Sequence, residues 1–230
     1  METHIKRNWL AIAILGGFGL VGVTLAVNGV AALLKFSALS QAVNDAKWIG
    51  LALHQYHDQY NSFPPAVVYD DHGVALHSWR ALIQPQLTSG IHSERQFPEY
   101  DLTKSWNQQA TANSPLLQQF EDQRYRFFAV VGPDAAWPRN GTRNIREITD
   151  GTSNTILLIG LRHSNVKWQQ PLDLTVNGKT LLLGDRPVDL TKDVFVLRAD
   201  GGTNYYEHGI PPDELARLLT IAGGDVPVLE

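Results

Sequence analysis

The amino-acid sequence predicts an α+β protein in which one long N-terminal helix packs on an antiparallel β-sheet. Three observations predict this class. A charge-free apolar run leads into a helical stripe, short apolar runs suited to strands follow the first Pro-Pro pair, and two pairs of these runs flank Gly-containing turns. A chain of 230 residues is long enough to bury one sizeable core.

Residues 9–34, from Trp9 to Leu34, form a run without any charged side chain. As a helix, these 26 residues rise roughly 39 Å, enough to cross a bilayer core of about 30 Å. Basic residues flank the run on both sides: Lys6, Arg7 and Lys35. The positive-inside rule then predicts that residues 1–8 are cytoplasmic and that the part of the chain after the span is periplasmic. The run is longer than a signal-peptide core, so we expect an uncleaved, single-pass inner-membrane anchor with the lipid bilayer as a partner.

Residues 35–62 are predicted to continue the same helix outside the membrane, because no proline occurs before Pro64. Apolar side chains recur there at spacings of three and four residues and form one helical stripe: Ala42, Ala46, Ile49, Leu53, Tyr56 and Tyr60. Pro64 and Pro65 then end the helix. We therefore predict one unbroken helix that serves as the membrane anchor and as the spine of an exported domain, residues 63–230.

The exported domain contains the remaining predicted elements. One helix is expected over 77–87 and a short terminal helix over 211–222, where prolines and acidic residues open the run. Strands are expected at 124–131, 154–161, 172–176, 179–183, 192–199 and 203–206. The second of these strands is apolar on both faces, which predicts a central position. Asn177-Gly178 and Asp200-Gly201-Gly202 each predict a hairpin turn.

Composition and motifs exclude several classes of protein. The chain has 19 Lys and Arg against 23 Asp and Glu, so its net charge of −4 does not favour nucleic acid as a partner. It has no cysteine, which excludes disulfides, thiolate metal centres and a cysteine nucleophile. Phosphate-binding, dinucleotide-binding and zinc-protease motifs do not occur, and Ser153 lacks the Gly-x-Ser-x-Gly context of a hydrolase nucleophile. We expect no catalytic residue and no enzyme activity.

Four sequence blocks carry a family resemblance. They are, in order, Ile49–Asp58 with Ser62–Ala66, Leu76–Leu82 with Trp106-Asn107, Ala129–Pro133 with Ile148–Ile156, and Leu197–Gly201. On these blocks the chain resembles the DUF1559 proteins, a pilin-like group of planctomycete bacteria that is also called the H-X9-DG group. The resemblance implies a type IV pilin-like fold and places the following residues in family motifs: His54, His57, Pro64, Pro65, Trp79, Gly132, Pro133, Asp150, Gly151, Thr152, Ser153, Asn154, Asp200 and Gly201.

The chain departs from the family pattern at three places, one of which is the missing Cys-Pro segment before the Val-Val-Gly-Pro strand. The nearest string to a prepilin cleavage site begins at Gly17-Phe18, deep inside the apolar run, and Gly22 stands where the family has glutamate. Leu190 stands ten residues before Asp200, where the name-giving histidine would be. We therefore expect an unprocessed N-terminus and a helix that stays in the bilayer.

Two groups of side chains have the spacing of metal ligands. His54 and His57 lie at i and i+3 on the spine, with Asp58 adjacent. The loops offer carboxylate and amide oxygens of the kind that calcium uses: Asp150, Asn154, Asp200 and Asn204. Asp-Gly is also ordinary turn chemistry, and half-buried histidines can instead bond the loop that begins at Phe63. We favour turns and structural histidines, and expect no cofactor, with calcium as the alternative.

Two function classes remain open. The first is a pilin-like or pseudopilin-like structural or interaction protein, with like subunits or other pilin-like proteins as partners. The second is an anchored binding module that holds glycans or another envelope ligand through loop tryptophans at Trp106, Trp137 and Trp168. The same tryptophans can instead plug the ends of the sheet, and we favour the plug. The discriminating feature is whether the N-terminal helix stays in the membrane.

Overall fold

A computed structural model describes residues 2–88, 100–109, 121, 123, 125–162 and 165–223. Within the first helix it describes side chains from residue 28 onward, residue 31 excepted. The chain divides into two compact units, Met1–Gln41 and Ala42–Glu230. The described residues form helices and a mostly antiparallel main sheet, so the predicted α+β class is confirmed.

Helix α1 (Glu2–Tyr60) ends where the sequence predicts. Asn61 follows it with a φ of 56°, the left-handed conformation that commonly ends a helix. Among the helices for which side chains are described, none has both the length and the hydropathy of a membrane span. The predicted membrane segment, residues 9–34, lies mostly outside the described side chains and stays a prediction.

The C-terminal part of α1 belongs to the second unit and packs against its sheet. Its buried side chains are Ala42, Ala46, Ile49, Ala52 and Leu53, which confirms the predicted stripe up to Leu53. Beyond that point the stripe is wrong, because Tyr56 is half-buried and Tyr60 is 54% exposed. The rings of Tyr56 and Tyr60 pack on each other, with centroids 4.4 Å apart, and His54 and His57 are half-buried like Tyr56.

In the described parts of the chain, nine strands follow α1 and form two sheets. They are β1 (Val67–Tyr69), β2 (Ala75–Ser78), β3 (Tyr125–Val131), β4 (Ile156–Arg162), β5 (Leu174–Asn177), β6 (Thr180–Leu183), β7 (Arg186–Pro187), β8 (Val194–Arg198) and β9 (Thr203–Tyr206). Strands β1 and β2 pair alone, and the other seven form one sheet in the order β7-β6-β5-β3-β4-β8-β9. The predicted central strand, β4, indeed lies inside this sheet and is buried over most of its length.

The main sheet departs from the predicted antiparallel arrangement at one pair of strands. Strand β5 runs parallel to β3, with Val130 beside Leu174 and Val131 beside Thr175. Strand β4 ends with Arg162 opposite the first residue of β3, whereas β5 begins near the end of β3. The connection after β4 must therefore travel back along the sheet, and this return gives β5 the direction of β3.

The single helix predicted over 77–87 is also wrong. His77 and Ser78 end strand β2, and two short helices follow, α2 (Trp79–Leu82) and α3 (Gln84–Leu87). The side chain of Ser78 caps α2 by accepting the backbone N–H of Arg80. Pro85 has no N–H and lies in the first turn of α3, so the chain forms two helices where the pattern suggested one.

Both predicted hairpins are confirmed, as β5–β6 and β8–β9. Strand β4 starts two residues later than predicted, because Thr152–Asn154 forms a 3-10 turn. The terminal helix α4 (Pro212–Leu218) is shorter than predicted. It packs on one face of the sheet, where its Leu215 joins a core that includes Phe128, Ile159 and Val196.

Gly160 in β4 lies between two phenylalanines on the neighbouring strands. It pairs with Phe127 of β3 and with Phe195 of β8. A Cβ at this position would lie 2.8 Å from Cε1 of Phe127 and 3.1 Å from Cβ of Phe195. The ring of Phe127 therefore occupies the space above the glycine, and only hydrogen fits there.

We expect Gly160→Ala to lower the free energy of unfolding by about 1–3 kcal/mol, the usual cost of overpacking a core. Urea unfolding of the full chain measures this change. In a Phe127→Leu background, which removes the obstructing ring edge, the alanine should cost markedly less. An equal cost in both backgrounds would contradict the proposed contact.

Candidate functional site

The family-motif histidines lie at the end of α1 against Phe63. The ring centroid of His57 is 5.2 Å from that of Phe63, and the ring of His54 lies edge-on at 5.8 Å. Phe63 is buried, and both histidines are half-buried. The bend at residues 61–62, directly after α1, therefore places Phe63 against the last turns of the helix. We call His54, His57 and Phe63 the helix seat.

His57 joins the helix seat to a distant loop. Its Nε2 accepts the backbone N–H of Ile145 at 3.2 Å, so this nitrogen carries no proton in the bonded form. The adjacent Asn144 donates its side-chain amide to the carbonyl of Asn61 at 2.6 Å, next to the end of α1. The expectation that this histidine bonds the loop beginning at Phe63 is therefore wrong, since its partner lies in the 3-10 turn Ile145–Glu147.

His54 faces the turn between β8 and β9. Its Nε2 lies 4.0 Å from the position that a Cβ on Gly201 would occupy. Burial lowers the pKa of His54, and the charge of His57 lowers it further. The carboxylates of Asp58 and Asp200 act in the opposite direction, and so does the nearby backbone of Ala199. The net effect favours the neutral imidazole at the helix seat.

The two Asp-Gly turns of the family motifs lie side by side and share backbone hydrogen bonds. Ala199 donates its N–H to the carbonyl of Thr155 at 2.9 Å, and Asp200 donates to Thr152 at 3.1 Å. Gly151 has a φ of 94°, a conformation that side-chain-bearing residues rarely adopt. The motif residues of two separate blocks therefore form one continuous structure next to His54.

The carboxylates of these turns are engaged in loop contacts. Asp150 accepts the N–H of Gly223 at 2.6 Å and the hydroxyl of Thr220 at 3.2 Å. Asp200 accepts the N–H of Gly202 at 2.7 Å and lies 3.8 Å from Nε of Arg198. The contact of Asp200 with Gly202 is that of a turn residue, which is the interpretation that the sequence favoured, whereas Asp150 bonds a segment distant in sequence.

The candidate metal ligands do not assemble into a site. Asn154 donates its amide to the carbonyl of Asp150 at 2.9 Å, whereas Asn204 lies in strand β9 opposite Val196. Across the described ranges, no three histidine or acidic side chains lie close enough together to hold a metal ion. The motif residues instead form hydrogen bonds that join backbone segments around the end of α1.

A line of buried rings leads from the helix seat into the protein. The centroid of Phe63 is 6.3 Å from that of Trp137, which lies 5.5 Å from Trp79, which lies 6.3 Å from Trp168. All three tryptophans have no exposed surface. Trp137 and Trp168 are therefore buried, as the plug interpretation requires, and these rings offer no face to a glycan. Trp106 is half-buried, in the 3-10 turn Trp106–Gln108.

The line of rings ends at a buried ion pair that the sequence analysis missed. Nη2 of Arg80 lies 2.8 Å from Oδ1 of Asp173, and both side chains are almost completely buried. Arg80 also donates to the carbonyl of Phe127 at 2.7 Å and to the hydroxyl of Ser78 at 2.9 Å. Its guanidinium carbon lies 4.7 Å from the centre of the Trp79 ring.

The carboxylate of Asp173 is equally well bonded. Besides Arg80, it accepts the backbone N–H of Ala129 at 2.8 Å and the indole N–H of Trp79 at 3.2 Å. Burial lowers the pKa of Arg80 and raises that of Asp173, and the attraction between the two charges opposes both shifts. No short sequence pattern indicates this ion pair, because Arg80 and Asp173 are 93 positions apart in sequence.

Two cavities flank helix α4, away from the helix seat. The smaller one, about 190 Å³, is lined by Gly132, Pro133, Asp134, Val176, Lys179 and Leu219. The larger and more open one, about 350 Å³, is lined mainly by apolar side chains: Leu181, Val188, Leu190, Ile210, Pro211 and Leu215. The family-motif pair Gly132-Pro133 therefore borders a cavity and lies apart from the motif histidines.

Breaking the ion pair should destabilise the fold strongly. We expect Arg80→Met to lower the free energy of unfolding by about 3–5 kcal/mol, because it leaves the carboxylate of Asp173 buried without its partner. Lys192→Met is the matched control, since Lys192 pairs with Asp189 at 3.2 Å on the surface and should contribute less than about 1 kcal/mol. Similar losses from both variants, measured by urea unfolding, would contradict this assignment.

Stability should also fall between pH 7.5 and pH 5.5. Burial lowers the pKa of His54 and of His77, so the unfolded chain binds protons there at a higher pH than the folded chain does. Stability is then complete above about pH 6.5 and declines as the pH falls. We expect a contribution from His54 below the roughly 1.4 kcal/mol that a full pKa unit represents, because this side chain is only half-buried.

Urea midpoints at the two pH values measure this effect. His54→Gln should reduce the pH dependence, whereas substitution of the exposed His72 by Gln should leave it unchanged. Equal midpoints for the wild-type chain at both pH values would be inconsistent with a buried neutral His54.

Comparisons with known proteins support the family resemblance over part of the chain. Residues 40–132 match the family described as a protein of unknown function, DUF1559. The suspected family is therefore confirmed over these residues, which include the helix seat and Arg80. No curated protein and no solved structure matches the chain.

Proposed function

We propose that this chain, which carries the DUF1559 match, is a membrane-anchored pilin-like or pseudopilin-like structural protein. Residues 9–34 hold it in the inner membrane, residues 1–8 are cytoplasmic, and residues 63–230 are displayed on the periplasmic side. The lipid bilayer and like subunits are its partners, and it performs no catalysis. The type IV pilin-like arrangement, with α1 as the spine of the displayed domain, is part of this proposal.

One observation carries the proposal. In the described part of the first unit, large apolar side chains of α1 lie exposed: Val30 at 57%, Leu33 at 70%, Leu34 at 66% and Phe36 at 70%. Residues 28–41 contain a single charged side chain, Lys35. Scattered exposed hydrophobic residues are ordinary, but a contiguous helical group of this size is typical of a surface that lipid or another apolar helix covers.

The second unit supports a structural role for the rest of α1. The helix seat and the buried stripe up to Leu53 attach the C-terminal part of α1 to the sheet. The family-motif residues His54, His57, Asp150 and Asp200 are engaged in contacts between loops, turns and this helix. Trp137 and Trp168 are buried, so they give no support to the alternative of a glycan-binding module.

We expect the full-length protein to fractionate with membranes and to resist extraction by alkaline carbonate. Deletion of residues 1–35 should release a soluble domain with cooperative urea unfolding, because the buried stripe begins only at Ala42. Recovery of the full-length chain in the soluble fraction, or aggregation of the shortened chain, would overturn the proposed anchor.

N-terminal sequencing of the membrane-bound protein separates an anchor from a processed subunit. The proposal expects a sequence that starts at Met1, because the Gly17-Phe18 pair lies far from the charged flank that a prepilin peptidase uses. A mature protein that starts at Phe18 would show that the helix is processed like that of a filament subunit.

A further inference from the structure

Strand β9 is an edge of the seven-stranded sheet. It pairs with β8 on one side, and no described strand pairs with its other side. Its four residues, Thr203, Asn204, Tyr205 and Tyr206, are all half-buried. A strand of this kind presents backbone N–H and C=O groups that another extended chain can pair with.

The turn before β9 determines which backbone groups point outward. Arg198 donates its N–H to the carbonyl of Gly202 at 2.8 Å, so these two residues form a hydrogen-bonded pair. In an antiparallel ladder such pairs alternate along the strands. Asn204 and Tyr206 therefore bond β8, whereas the N–H and C=O groups of Thr203 and Tyr205 point away from the sheet.

The two edges of the sheet differ in their protection. Strand β7, at the opposite edge, has only two residues, and both are exposed. One is charged Arg186 and the other is Pro187, which has no N–H; both features discourage edge pairing. Strand β9 contains no proline and no charged residue, and threonine and tyrosine favour strands. Among the described residues, the β7 edge carries the usual protection against pairing and the β9 edge does not.

The side chains of β9 are already held by their own sheet. The ring of Tyr205 packs on Phe195 of β8, with centroids 4.9 Å apart. Tyr206 donates its hydroxyl to Glu214 of α4 at 2.5 Å. These contacts fix the strand before any partner arrives, so pairing at its outer edge requires little further ordering.

We propose that β9 pairs antiparallel with β9 of a second copy of this chain, around a two-fold axis at Asn204. Asn204 then faces Asn204 of the second copy. Thr203 of each copy faces Tyr205 of the other. This register forms about four backbone hydrogen bonds. It joins the two sheets into one continuous sheet.

The strand and its surroundings favour a second copy as the occupant. An uncharged strand meets no like charge when it pairs with itself. In this register Glu207 comes opposite the turn of the second copy that holds Arg198 and Asp200, whose charges cancel. The inference rests on the proposed function for its partner, because subunits anchored in one membrane lie at high local concentration and can therefore pair through a short strand.

The absence of native cysteine allows a direct test. Residues opposite each other in a non-hydrogen-bonded antiparallel pair have Cα atoms about 4.5 Å apart, within the range of a disulfide. We expect full-length Asn204→Cys, in whichever cell fraction holds it, to form a disulfide dimer on mild oxidation. Thr180→Cys is the matched control, because it places a thiol on an exposed strand residue of β6. Asn204→Cys should give at least ten times more dimer than this control.

Thr203→Pro provides the second arm of the test. Proline removes an outward N–H of β9 and leaves the bonds to β8 intact, so the fold should keep its circular dichroism spectrum. Added to Asn204→Cys, it should reduce the cross-linked dimer at least tenfold. As a measurement without cysteine, Thr203→Pro should equally reduce the co-purification of two differently tagged copies of the full chain.

Two results would overturn the inference. One is a dimer yield for Asn204→Cys that does not exceed that of Thr180→Cys. The other is cross-linking or co-purification that Thr203→Pro leaves unchanged. Both readouts are independent of the cell fraction in which the chain is found. Failure of the membrane anchor and failure of the strand pairing are therefore separate observations.

Discussion

The buried ion pair between Arg80 and Asp173 is the interaction on which the sheet of this protein depends. Charges removed from water are tolerated only where hydrogen bonds replace the lost solvation, and here the guanidinium and the carboxylate are both well bonded. The carboxylate also accepts the N–H of Ala129, one residue before the parallel pairing of Val130 with Leu174. The pair therefore aligns the two strands at the place where they run parallel, and links them to helix α2.

The elements that depend on neighbouring residues were predictable from the sequence. Pro64 and Pro65 mark the end of α1, and Asn177-Gly178 fixes the β5–β6 hairpin, because each acts within a few positions of itself. The parallel pairing of β3 with β5 was not predictable in this way. It depends on where the connection after Arg162 returns to the sheet, and strand patterns do not encode that path.

The candidate site shows the same division. Family resemblance identified His57 and Asp150 as motif residues, and their residue types suggested metal ligands as well as turn chemistry. Their actual partners, the N–H groups of Ile145 and Gly223, are backbone atoms distant in sequence. Every residue except proline has a backbone N–H, so neither residue type nor spacing along the chain identifies the one that donates. The buried tryptophans could be assigned because large aromatic side chains in a small domain are usually covered.

The ion pair also has a consequence for biogenesis. Its partners are 93 positions apart, so a chain emerging N-terminus first exposes Arg80 about 5–20 s before Asp173 is synthesised, at ordinary translation speeds. Until Asp173 has been synthesised, Arg80 cannot be buried together with its ion-pair partner, and the sheet cannot be completed. Burial of Arg80 and completion of the sheet are therefore late events, which wait until most of the chain has been synthesised.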